Sequence, residues 1–63
     1  MNKERKKQLT DFSLEVAKNK FTDDEMMTKL MLMRPTFQEL IFMDDLIQNF
    51  MEKIEKGEIK YEG

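Results

Sequence analysis

Apolar residues fall at helical spacing in three stretches of this chain, and each stretch has marked ends. The first runs from Lys3 to Lys18, where Leu9, Phe12, Val16 and Ala17 share one stripe and Lys6, Lys7, Asp11, Glu15 and Lys18 lie mostly elsewhere. Leu14 falls off that stripe, and Asn19-Lys20 breaks the pattern. The next segment, Phe21-Thr22-Asp23-Asp24-Glu25-Met26, has the form of a capping box with a hydrophobic staple. Thr22 is placed to accept from free backbone N–H groups, Glu25 to reach back to the Thr22 amide, and Phe21 and Met26 to close the staple. Asp23 and Asp24 suit the positive end of a helix dipole. A second helix is therefore predicted from Asp23 to Met33. Pro35 ends it, because the residue before a proline is pushed out of the α region.

Thr36-Phe37-Gln38-Glu39 repeats the capping-box spacing, which predicts a third helix from Phe37 to Lys56. Gly57 suits the position just beyond its end, and Lys53 and Lys56 suit the last turn. Within this helix Leu40, Met43, Ile47, Phe50 and Ile54 are spaced 3, 4, 3 and 4, an a/d seam two heptads long. Leu46 and Met51 widen the apolar arc, while Ile41 and Phe42 lie well outside it. One reading packs this seam onto the first two helices, with Phe42 filling a gap; the other uses it to dimerise. The remaining segment, 57–63, reads as a short tail whose Ile59 and Tyr61 could dock back, although a mobile end is the expectation. The fold class that follows is all-α: one compact three-helix domain over 1–63, with helices at about 3–18, 23–33 and 37–56 and a basic tip at 1–7.

At 63 residues the chain has room for one core, and chains this small bury only about 60% of their unfolded surface. Its beginning at Met1 leads us to expect a complete small gene product. Such proteins usually need disulfides, a metal or a partner subunit. Cysteine and histidine are both absent, so disulfides and Cys/His metal sites cannot form, and no cofactor is expected. Yet 40% of the residues are hydrophobic, and Leu14, Leu32, Ile41 and Phe42 each point off the main stripe of their helix. Leaving each wet forgoes about 1.5–3 kcal/mol. Contact with another protein or a second copy resolves the surplus, and a homodimer through the third helix is the preferred expectation. The contact residues expected are Met31, Leu32, Leu40, Phe42, Met43, Leu46, Ile47, Phe50 and Ile54. Six of the seven methionines, Met26, Met27, Met31, Met33, Met43 and Met51, sit on the second and third helices. Such flexible side chains recur on surfaces that adapt to partners.

The same absences limit catalysis. No thiolate, imidazole base or Ser-His pair can be built, and the two glycines, Gly57 and Gly63, form no phosphate-cradling loop. An enzyme is not expected. No apolar run approaches the ~20 residues of a membrane span, so neither membrane nor small-molecule partners are expected. Net charge is −2, unevenly spread: Lys3, Arg5, Lys6 and Lys7 make the amino-terminal tip basic, while the chain is acidic from Thr36 onward.

The segment from Thr22 to Leu40 resembles the helix-turn-helix of small phage and transposase-type regulators. That resemblance places Met27 at the small-residue position, Leu30 at the apolar one, Met31-Leu32-Met33 in the turn, and Thr36, Gln38 and Glu39 at the start of a recognition helix. It implies DNA binding, with Lys3, Arg5, Lys6 and Lys7 on phosphates and Gln38 on an adenine edge. The face continues into Asp44 and Asp45, which phosphates repel. Leu9 to Arg34 also resembles the helical hairpin of the Sin-type anti-repressor and repressor-dimerisation family, which implies docking against a matching hairpin through Leu9, Phe12, Val16, Phe21, Met26, Leu30 and Leu32. The Lys-, Met- and Ile-rich usage without Trp resembles an AT-rich bacterial or phage gene, and with it a cytoplasmic location in a bacterium or phage-infected host. Three functions follow in order: a regulatory or inhibitor protein acting through helix-mediated contact, a DNA-binding transcriptional regulator, and a structural subunit of a larger assembly.

Overall fold

The computed structural model describes residues 1–61. It is all-α, with α1 at Lys3–Ala17, α2 at Asp23–Met33 and α3 at Phe37–Glu55. The first and third helices each stop one residue short of the predicted end, because Lys18 and Lys56 serve as their carboxyl caps.

Each amino terminus is capped by a side chain. Asn2 accepts from the Arg5 amide at 2.7 Å, so the basic tip is a helical first turn rather than a loose end. Thr22 and Thr36 head complete capping boxes: Glu25 accepts from the Thr22 amide and Glu39 from the Thr36 amide, both at 2.9 Å. The carboxyl ends of α1 and α3 share one device. Beyond α1, Asn19 N–H donates to Val16 and Lys20 N–H to Glu15; beyond α3, Gly57 N–H donates to Ile54 and Glu58 N–H to Lys53. These paired bonds close a Schellman turn, which needs a left-handed residue, supplied by Asn19 at φ 59° and Gly57 at φ 79°. Arg34, which ends α2, is also left-handed, at φ 48° and ψ 58°. It has left the right-handed α region, as expected for the residue ahead of Pro35. The turn gains the Arg34 N–H bond to the Leu30 carbonyl at 3.2 Å and tolerates a conformation that costs a side-chain-bearing residue about 1–2 kcal/mol.

Leu9, Phe12, Ala17 and Met43 form the buried apolar core, with Val16, Phe21, Met26, Leu30, Met33 and Phe42 packed around Leu9, Phe12 and Met43. The backbones of α1 and α3 approach most closely. Two small α1 residues one turn apart, Ser13 and Ala17, are buried on that helix and suit a close approach. Ser13 has no accessible surface, and its hydroxyl makes no hydrogen bond among the described residues. By contrast α2 has no buried residue at all and joins the core through the long side chains of Met26, Leu30 and Met33. Phe21, just ahead of α2, stacks on Phe12 at 5.9 Å and carries Lys29 over its other side at 5.1 Å. The described part of the tail, 57–61, turns back rather than trailing away: Ile59 is half-buried, and Tyr61 shares a groove with Ala17, Met51 and Ile54, while 62–63 lie outside the described residues.

The resulting body measures 31 × 24 × 17 Å with a radius of gyration of 11.6 Å. A compact chain of this length is expected at about 10.6 Å, so the packing is open. Among the described residues, no helix is long and apolar enough to cross a membrane.

Candidate functional site

Two features stand out: a polar tie at one end of the bundle and an apolar face on α2 and the start of α3. The tie is built on Arg5, in the first turns of α1. Its Nε donates to Glu39 Oε2 at 2.8 Å and its Nη2 to Glu39 Oε1 at 2.9 Å, a two-pronged ion pair between α1 and α3. Nη2 also donates to the Met33 carbonyl at 2.8 Å, satisfying one of the free carbonyls at the end of α2, and Nη1 reaches Gln8 Oε1 at 2.9 Å. One guanidinium therefore joins all three helices. Glu39 accepts from Arg5 while also capping α3 through the Thr36 amide, and those bonds, Arg5 first, hold its carboxyl down at about 2. The same pairing raises the Arg5 guanidinium further above its ordinary value.

This position removes Arg5 from the set of residues expected on phosphates, since four of its N–H donors are committed inside the fold. Lys3, Lys6, Lys7 and Gln38 stay exposed, and Lys7 is paired with Asp11 at 2.8 Å. Met31-Leu32-Met33, assigned to a turn by the helix-turn-helix resemblance, forms the last turn of α2 instead; the connection is 34–36.

The apolar face is the larger feature. Its outermost side chains are Leu32 at 78% exposure, Phe37 at 77% and Met31 at 72%, with Met27, Ile41 and Leu40 also exposed. The helical period explains α2: Met26, Leu30 and Met33 turn inward, which leaves Met27 and Met31, one turn apart, on the outside. Phe37 is the first residue of α3, and Ile41 follows it one turn later, away from the buried Met43. Two grooves border this face. In one, Leu30 of α2 and Leu40 of α3 lie over Phe12 and Val16; in the other, Leu32 and Met33 meet Phe12 and Phe21, with Gln8, Asp11, Glu15 and Lys29 around them.

The expected contact residues divide accordingly. Met31, Leu32 and Leu40 are exposed on this face. Met43, at 3% exposure, belongs to the core and cannot meet another molecule without unfolding, and Phe42 packs against that core. Leu46, Ile47, Phe50 and Ile54 are half-buried. Most of the 3-4-3-4 seam on α3 is thus drawn inward because α1 presents Leu9, Ser13 and Ala17 for it to pack near. The sequence reading gave Ile41 only as an off-stripe residue and Met27 only among the adaptable methionines, and it did not single out Phe37 as a contact. Their signal was the i, i+4 pairing of apolar residues opposite each helix's inward stripe, visible only once that stripe is assigned.

Among the described residues no cluster of acidic side chains could hold a metal ion. No family model, curated protein or solved structure matches this chain.

Proposed function

We propose that this chain is a small non-enzymatic regulatory or inhibitor protein that works by laying the apolar face of α2 and the start of α3 against another protein surface. The observation that supports it most is the concentration of exposed large apolar side chains there: Met27, Met31 and Leu32 on α2, and Phe37, Leu40 and Ile41 on α3. Scattered single hydrophobic residues are ordinary on a surface, but six large ones between positions 27 and 41 are more than scatter and favour an interaction site. Methionine suits the purpose, because its unbranched thioether can re-pack against partners of different shape. The recognition mode is helix-on-helix docking, in which apolar anchors one turn apart enter a groove of the partner.

The test is competitive. Wild-type chain immobilised through its carboxyl end and exposed to extract of its native host should retain a specific protein, and a Met31→Glu, Phe37→Glu chain of unchanged helicity should not. Equal retention by both chains would sink the reading. A gel shift at low salt separates the DNA-binding alternative, whose affinity would have to fall steeply as salt rises.

A further inference from the structure

The outward face of α2 has an internal symmetry that identifies a partner. Reading along it at helical spacing gives Asp24, Met27 and Met31, and Arg34, the left-handed cap just past the end of the helix, follows, at intervals of 3, 4 and 3. Asp24 and Arg34 each stand five residues from Lys29, and Met27 and Met31 each stand two residues from it. A second copy turned end for end about that midpoint therefore meets like with complement: methionine against methionine in the middle, carboxylate against guanidinium at both ends.

We propose that two copies of this chain pair through α2 in antiparallel fashion, Met27 against Met31 of the partner subunit and Asp24 against Arg34 of the partner subunit. The proposal rests on the protein-contact reading above and names its occupant. It also moves the dimer contact from α3, whose seam is largely drawn inward, to a helix with no buried residue of its own.

Three observations carry it. Met27 and Met31 are among the most exposed apolar side chains, and both lie on the flank of α2 away from Met26 and Met33. Neither the Asp24 nor the Arg34 side chain has a hydrogen bond or ion pair among the described residues, so both charges are free to pair outside the chain. Antiparallel pairing further sets the positive end of one α2 dipole beside the negative end of the other, and the acidic first turn, Asp23-Asp24-Glu25, beside the Arg34 end.

The closing experiment is sedimentation equilibrium of four full-length chains, each checked for helicity: wild type, Asp24→Arg, Arg34→Asp and the double exchange Asp24→Arg, Arg34→Asp. Wild type should be dimeric. Each single reversal puts like charges together at both ends of the pair and should raise the dissociation constant by about tenfold or more, and the double exchange should bring it back to within about threefold of wild type. Because the chain has no cysteine, Met27→Cys combined with Met31→Cys should oxidise to a covalent dimer, whereas Gln48→Cys on α3 should not. A wild type that is monomeric at about 1 mM overturns the pairing. So does a dimer insensitive to the reversals, or one cross-linked equally well from Gln48→Cys. These results leave the broader reading to the extract experiment, whose readout is retention of a different protein.

Discussion

Residue for residue α2 is at least as apolar as the α1–α3 pair, and the two put that content to opposite uses. Between α1 and α3 the backbones come close, Leu9, Ser13, Ala17 and Met43 disappear from solvent, and the ends are finished with Schellman turns. In α2 nothing is buried; three long side chains reach the core, and the opposite face carries Met27, Met31 and Leu32 into water. Chain economy explains the division. Sixty-three residues supply one core, and two helices with small residues between them suffice to make it. The remaining helix, α2, is then held by its edges and keeps a face available for contact.

The sharpest way to break this comparison is to open the core. Leu9→Ala removes a fully buried side chain and costs about 2–5 kcal/mol, against the ~3–5 kcal/mol that a single core of this size supplies. The variant should be largely unfolded by circular dichroism at room temperature. Leu32→Ala, on the exposed face of α2, should change stability by no more than about 0.5 kcal/mol in urea melts. Caps test the junctions between the two regions. Thr22→Ala and Thr36→Ala should each cost about 1 kcal/mol, with Thr36→Ala the costlier because its box also positions the Glu39 that holds Arg5. Equal losses would mean that the tie and the cap act independently.

Arg34→Gly should gain stability, by up to about 1 kcal/mol, since glycine takes the left-handed conformation freely. The same change should weaken dimerisation, and a variant both less stable and equally dimeric would remove Arg34 from the proposed pairing. Acid titration is the gentlest probe. Glu39 has a carboxyl lowered from 4.5 to about 2, so its contribution is fully present above its ordinary value and is lost as pH falls through that window towards 2. Stability should therefore rise with pH across this range, and Glu39→Gln should flatten that part of the profile and leave the variant less stable than wild type near neutrality. An unchanged slope would show that the ion pair carries no weight.

Much of the fold was legible because its boundaries are chemical. Thr22 with Glu25, Thr36 with Glu39, and Gly57 are residue types whose side chains, or lack of one, satisfy free backbone groups, so the beginnings of α2 and α3 were fixed to the residue. Legibility failed where the outcome depends on long-range geometry. The basic tip read as four solvated cations, yet Arg5 finds Glu39, and no local rule announces a bond between residues 34 positions apart. The α3 seam has the periodicity of a coiled coil and of a core stripe alike; only the presence of α1 decides between them. The left-handed Arg34 was hidden for a related reason, because proline constrains its neighbour without specifying which permitted conformation the turn selects.

The two arginines of this chain also make it well suited to spectroscopy. The Arg5 Nε proton is held by Glu39 at the junction of three helices, while the Arg34 guanidinium is solvated. In a nitrogen-edited spectrum the first should persist through solvent exchange and vanish only on melting, serving as a single-signal gauge of assembly of the bundle. The second should exchange rapidly in dilute samples and slow as concentration rises, so that one recording reports on folding and on self-association separately.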